Sequence, residues 1–463
     1  NSEKLSRGIL IPPVTSHMCF GHFLTMKWFN DVWMKEVFAN FMADKIMNPA
    51  FPDINHNLQF LTAHYSSAYD EDRTKGSHPI RQNLTNLKNA GSLYGSIIYN
   101  KAPIMMRQLE TTMGKEVFQK GIQKYIQKYA NSNADWEDLV EILDKGTTLN
   151  MKKWSDVWVN QSGRALFTDH IEYGDAQTIK NFVLRQQAED GSPNVWPQIF
   201  EIGLVYPDTI KVIQVNVNSR ITEIKEAIGL QKPISVIYNY NGYGYGVFPI
   251  DPNNLDKTPE IKDEVARAYS YINAYENTLT GKITAVKACD VFVKGIAVEQ
   301  NELIVKLLSN QLSSIFWDFL TIKQQVVAQA ELEQLLFNKL QTELPSNIKK
   351  TIFGLFESIA YSKTGKEKLY QIWNKEIAIA NLKLNEDDYI NMAMDLAIYN
   401  HERSDEIVRK TRAVISNLDK RKRFDFLLPS LSNDLAVQDA FMESLKLQKN
   451  REKEAWVQVA LAN

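Results

Sequence analysis

The apolar residues of this chain change their spacing twice, and few architectures accommodate both changes. Up to about residue 150 they recur at three and four positions, so that Phe118, Ile122, Tyr125 and Tyr129 fall on one helical face. From roughly 155 to 255 the period drops to two. Ile213, Val215 and Val217 alternate with Gln214, Asn216 and Asn218, and Ile234, Val236, Tyr238 and Tyr240 repeat the alternation, as half-buried strands do. Asn241 to Gly246 then supplies a glycine-rich turn. After Asp251 and Pro252 helical spacing returns, with Ile304, Leu308, Leu312, Ile315 and Phe319 as one stripe and breaks near Pro345 and Pro429. The pattern predicts a multidomain, mainly α protein: a helical unit over 1–155, a small β-sandwich over 156–255, and a helical repeat-like unit over 256–463, in which stacked helix pairs bury one another's apolar faces.

A length of 463 residues exceeds what a single core supports, in keeping with several domains. The 53 basic and 55 acidic residues leave a net charge of −2, which gives no electrostatic reason to expect nucleic acid or an anionic membrane as partner. The dense basic cluster from Lys420 to Arg423 reads as a solvated helix end. Two cysteines, Cys19 and Cys289, imply no disulfide framework. No apolar run reaches the length of about 18 residues that crosses a bilayer, and residues 1 to 20 lack the basic start and apolar core of a signal peptide. The expectation is a soluble chain without a transmembrane segment, its compartment unassigned.

His17 and Glu36 are separated by eighteen residues, the gap between two metal ligands in one large class of zinc peptidases. There a helix carries H-E-x-x-H, with two imidazoles on one face and a Glu that polarises the metal-bound water, and a second helix supplies a Glu as third ligand. Four residues before His17 stands Pro13, and at the position of the intervening Glu stands Val14. Proline is tolerated only in a first helical turn, so Pro12 and Pro13 predict a motif helix that starts at or after this point. His22 is no substitute, because five residues of helix turn it about 140° away from His17.

The segment TSHMCFGHFLTMKWFNDVWMKEVFANF resembles the aminopeptidase N family of gluzincin zinc metallopeptidases. Phe20, Gly21, Thr25, Met26, Lys27, Trp28, Asn30, Asp31, Trp33, Glu36, Phe38 and Ala39 fall in register without a gap. The similarity continues at Ser77 to Ile80 (SHPI), in the run IIYNKAPIMMRQLE, and in WSDVWVNQSGRALF with Trp154, Trp158, Gln161 and Gly163. The resemblance implies a thermolysin-like helical catalytic subdomain, a small β-sandwich and a C-terminal α-helical superhelix. It implies a zinc-dependent hydrolase that releases N-terminal residues from peptide substrates by metal-activated water. On that register His17 and Glu36 descend from zinc ligands, Pro13 takes the place of the lost first His, Val14 that of the lost general base, and Tyr99 that of the tyrosine which steadies the oxyanion. The resemblance also implies a fragment lacking the N-terminal domain and the upstream part of the catalytic domain, with the G-A-M-E-N loop that holds the substrate amine.

The departures at Pro13 and Val14 predict a degenerate zinc motif, low zinc occupancy and an inactive chain. Two readings stand side by side: a hydrolase whose metal-binding stretch is locally disrupted over residues 1 to 22, and a non-catalytic pseudopeptidase that keeps its cavity or helical surface as a peptide- or protein-interaction scaffold. Blander roles are also open to single residues. Glu36 could pair with Lys35 or Lys27, Tyr99 could be a core tyrosine, and His78 could shape the turn before Pro79.

Overall fold

A computed structural model describes residues 14–463 and divides the chain after Thr284 into two units. Helices dominate both. In the first unit a short helix over 14–19 (α1) leads into strand β1 (Leu24–Met26) and helices α2 (Trp33–Ala50) and α3 (His56–Asp72). A π-helical turn at Ile97–Lys101 runs straight into α4 (Ala102–Met113), followed by α5 (Lys115–Lys128), β2 (Ser132–Ala134), α6 (Trp136–Asp144) and α7 (Met151–Asn160).

Local chemistry sets these boundaries. Asn55 caps α3 by accepting the Leu58 N–H at 3.0 Å. Asp135 and Asp138 exchange side-chain and backbone hydrogen bonds in a capping box that starts α6. Phe118, Ile122 and Tyr125 turn inward on α5, as their spacing requires. The helical reading of this region is interrupted at one place: β1 and β2 pair in parallel, Leu24 opposite Ser132 and Met26 opposite Ala134. Three-residue strands are too short to display a period of two, so nothing in the apolar spacing marks them.

Seven further strands follow: β3 (Ala165–Tyr173), β4 (Ile179–Ala188), β5 (Gln198–Val205), β6 (Ile210–Val217), β7 (Ile221–Glu223), β8 (Ser235–Tyr238) and β9 (Gly246–Val247). They form a sheet in the order β7-β4-β3-β9 and another in the order β6-β5-β8. Along β6 the alternation is visible in burial: Ile213, Val215 and Val217 are buried while Gln214 and Asn216 are exposed. Aromatic contacts join the sheets, with Phe167 of β3 set 5.7 Å from Phe200 of β5 and stacked at 4.5 Å on Phe248. Helix α8 (Glu264–Leu279) completes the unit, and its Tyr269 packs edge-on against Phe248. Its Glu276 binds two guanidinium groups, Arg73 at 2.8 Å and Arg164 at 2.6 Å, which ties α3 and the start of β3 to the same buried carboxylate.

The second unit is a succession of ten α-helices among its described residues, opening with α9 (Ala285–Val298), α10 (Glu302–Ser314), α11 (Ile322–Gln341), α12 (Ser346–Ile359), α13 (Lys363–Trp373) and α14 (Glu386–Ile398) and closing at Glu454–Ala462. Ile304, Leu308, Leu312 and Ile315 are fully buried, but Phe319 is 41% exposed. The chain shifts to π geometry over Ile315–Phe319, and the wider turn rotates Phe319 off the stripe. Pro345 stands at the start of α12, and Pro429 lies in a tight turn at Leu428–Leu431, so both prolines mark helix breaks. No helix among the described residues is long and apolar enough to cross a membrane.

Two carboxyl groups meet between α12 and α14. Burial first, then the charges of Asp395 and Asp388, push the Glu357 carboxyl far above the ordinary carboxylate range, against the opposing pull of Lys350, and burial raises Asp395 as well. One oxygen of Glu357 is buried without a hydrogen-bond partner. A carboxyl whose pKa is raised on folding holds its proton in the native state at pH values where the unfolded chain has released it. Stability therefore falls as pH rises above the ordinary carboxylate value of about 4.3. Glu357→Gln is expected to be more stable than the parent at pH 8, by on the order of 1–2 kcal/mol, with the gain shrinking toward pH 5. Urea unfolding at the two pH values checks it; a gain that grows on acidification would contradict the assignment.

Candidate functional site

Helix α1 delivers His17 one turn before its end, and Phe20 closes the helix with its N–H on the Ser16 carbonyl at 2.9 Å. The Phe20 ring is buried and lies flat on Phe38 of α2, with centroids 4.3 Å apart and planes 6° from parallel. Phe38 is two residues beyond Glu36, so this stack brings the two helices together at the point that matters. Gly21 reverses the chain with φ +128°, and a Cβ there would stand 3.4 Å from the His17 carbonyl oxygen. Only glycine holds that conformation without strain.

The structure places His17 Nε2 3.8 Å from Glu36 Oε2. The other Glu36 oxygen, Oε1, lies 3.5 Å from Lys35 Nζ. Of the two cations considered as partners for Glu36, Lys27 is committed elsewhere, to Asp135 at 2.9 Å and Asp138 at 2.7 Å. His17 also sets its Nδ1 3.4 Å from the Phe20 carbonyl oxygen. His22 lies in the turn after α1, not on a continued helix, and is exposed. Val14, 68% exposed, begins the described part of α1 and offers no atom that accepts a proton. Pro13 lies outside the described residues.

Most residues of the matching segment do mechanical work around this pair. Asn133 donates to Thr25 Oγ1 at 2.6 Å beside the β1–β2 ladder. The Trp28 indole donates to the Leu84 carbonyl at 2.9 Å, while Asn30 accepts the Leu84 N–H at 2.6 Å. Asp31, buried, pairs with Arg81 at 2.8 Å; burial nonetheless pushes its carboxyl up to about 6. Trp33 is buried against Trp136 with centroids 4.9 Å apart. These contacts fix the approach of α2, and hence of Glu36.

Tyr99 sits in the π-helical turn, its N–H bonded to the Gly95 carbonyl at 3.1 Å. Turns of this kind recur at functional sites. The phenol is 37% exposed, its ring stacks on Tyr94 at 6.2 Å, and partial burial followed by the charge of Glu36 raises its pKa. Two residues on, Lys101 anchors the turn. Its ammonium meets Asp72 at 2.8 Å, both side chains having no exposed surface, and donates to the Gly163 carbonyl at 2.7 Å. Asp72 also accepts from Ser77 at 2.8 Å and from the Tyr245 hydroxyl at 2.7 Å. The SHPI run is therefore one wall of this network, with His78 turned back on the Pro79 carbonyl at 2.8 Å. The sequence carries a signal for Lys101, which follows Tyr99 by two residues in the matching run IIYNKAPIMMRQLE, but none for Asp72 or Tyr245. For Lys35 it has only its place beside Glu36.

A catalytic zinc takes three protein ligands and keeps an open position. Among the described residues no group of three or more His, Cys, Asp or Glu side chains converges so as to hold a metal ion. His17 and Glu36 make a pair, and proline at position 13 has no donor atom in its side chain. The donor set among the described residues does not fit a catalytic zinc.

Lys101→Met would strand a fully buried aspartate, and removal of one partner of such a pair costs about 3–5 kcal/mol. The loss should appear as a lowered urea midpoint, with a large part recovered in Lys101→Met combined with Asp72→Asn. A single variant as stable as the parent would show that the pair contributes nothing.

Comparison with known proteins adds an independent finding. Residues 14–158 match the model of the peptidase family M1 domain. Aminopeptidase N of Streptomyces lividans is 26% identical over 318 residues, covering 64% of this chain and 37% of that protein. Probable aminopeptidase 1 of Sulfurisphaera tokodaii is 23% identical over 322 residues, 68% of this chain and 39% of that protein. Aminopeptidase M1-D of Oryza sativa subsp. japonica is 33% identical over 191 residues, which is 41% of this chain and 22% of that protein. The chain thus spans well under half the length of these relatives.

Proposed function

Because this chain belongs, through residues 14–158, to the aminopeptidase N family of M1 peptidases, we propose that it is an aminopeptidase-type scaffold whose hydrolytic centre is silent. The family acts by zinc-activated water on the N-terminal residues of peptides, and peptides are the ligand class that the scaffold inherits. The observation that carries the reading is Val14, an exposed aliphatic side chain at the general-base register one turn before His17. Without a positioned base, the rate of such a reaction falls by about 10²- to 10⁴-fold, and the two-donor set of His17 and Glu36 compounds the loss. Tyr99, 37% exposed, would direct its hydroxyl to a bound carbonyl, with Lys101 holding the turn that carries it.

The Tyr94–Tyr99 stack, partly exposed and within the field of Glu36, favours retention of peptide binding without turnover, as in a pseudopeptidase that serves as an interaction scaffold. Aromatic faces beside a carboxylate suit a cationic or amide-bearing ligand.

Metal analysis of the purified chain is expected to give less than one zinc per molecule, and an aminoacyl anilide should not be hydrolysed above background even with zinc added. Stoichiometric zinc together with turnover would overturn the proposal.

A further inference from the structure

We infer that Lys35 is a built-in cation for Glu36, and that its ammonium excludes a divalent metal from the His17–Glu36 pair independently of the residues at positions 13 and 14. This rests on the proposed reading of the centre as metal-poor and extends it: the departure from a zinc site is threefold, and its third member contributes a charge.

The geometry is specific. Neighbouring positions on a helix point in different directions and do not ordinarily meet. Yet Lys35 Nζ stands 3.5 Å from Glu36 Oε1 while His17 Nε2 stands 3.8 Å from Oε2, so both carboxylate oxygens are flanked. The lysine stem takes a defined course to get there. A Cβ at Gly21 would lie 3.8 Å from Lys35 Cδ and 3.9 Å from His17 Nδ1, so the stem and the imidazole border the same small space above that glycine. Lys35 is 34% exposed and Glu36 16%, so solvent screens the pair only in part. Among the described residues Lys27, the other lysine near Glu36 in the matching segment, is held by Asp135 and Asp138.

A flexible ammonium is a compact point charge that satisfies a carboxylate without directional demands. A divalent ion placed between His17 and Glu36 would have to displace that ammonium from Oε1 or accept a like charge a few ångströms away, and either weakens binding. Restoring a second imidazole and the acid by Pro13→His with Val14→Glu supplies the missing donors but leaves Lys35 in place.

The test is a zinc competition assay against a chromophoric chelator on five proteins: the parent, Lys35→Gln, the double variant Pro13→His/Val14→Glu, the triple variant that adds Lys35→Gln, and a second triple that carries Lys35→Arg instead. Circular dichroism checks that each is folded. The triple with glutamine should bind zinc about 10- to 100-fold more tightly than the double, the range found for changes in groups that contact metal ligands, while the arginine triple should stay as weak as the double. Equal affinity of the double and the glutamine triple would overturn the inference. Stoichiometric zinc on the parent would instead refute the silent-centre reading, and the comparison of Lys35→Gln with the parent would then decide the role of Lys35. If the multiple variants do not fold, that same comparison decides it, with unchanged zinc affinity counting against the inference.

Discussion

Lys101 and Asp72 meet with no exposed surface on either side chain, and much of the first unit is organised around that contact. Two ions removed from water are tolerated only when the remaining donors and acceptors are also satisfied. Here the requirement recruits the Gly163 carbonyl, the Ser77 hydroxyl and the Tyr245 hydroxyl. Each comes from a different stretch of chain, so the pair holds the end of α3, the π-helical turn, the loop before β3 and the segment entering β9 at fixed distances. Arg164, next to Gly163, extends the arrangement through Glu189 and Glu276. Tyr99 takes its place from this frame, two residues from the lysine, without being part of it.

The same separation of frame from chemistry runs through the segment 14–39. Lys27, Trp28, Asn30, Asp31 and Trp33 are each bound to a partner fifty or more residues away in sequence. Changing any of them would leave a buried or half-buried group unpaired and would be felt in folding stability. Val14 differs in kind, because an exposed valine in the first described turn of a helix is close to neutral for stability. On the proposed reading, a chain can shed catalytic groups while keeping the scaffold that aims them.

That distinction also explains what could be read from the sequence. The two-residue alternation at Ile213, Val215 and Val217 and the helical face at Phe118, Ile122 and Tyr125 report burial directly and appear in the structure, whereas Tyr129 falls at the C-cap of α5, half-buried, and Ile234 is exposed ahead of β8, where the second alternation does not extend. The proximity of His17 and Glu36 was legible because a ligand spacing encodes a distance in space. The β1–β2 pair was not, since three residues carry no period, and neither was the exposure of Phe319, which follows from a local change of helix pitch. Asp72 gave no sign either. A buried ion pair depends on long-range proximity, and a single aspartate at a helix end looks like any solvated one.

Glu36 is a largely buried carboxylate, and such a group is a burden unless something balances its charge. Its position supplies part of the balance: it lies in the first turn of α2, where unpaired N–H groups and the helix dipole favour negative charge. Lys35 supplies the rest from the adjacent position, its ammonium 3.5 Å from Oε1. With the carboxylate so compensated, little stability would be gained by replacing it. The Phe20–Phe38 stack holds α1 against α2 and so keeps His17 within 3.8 Å of this carboxylate.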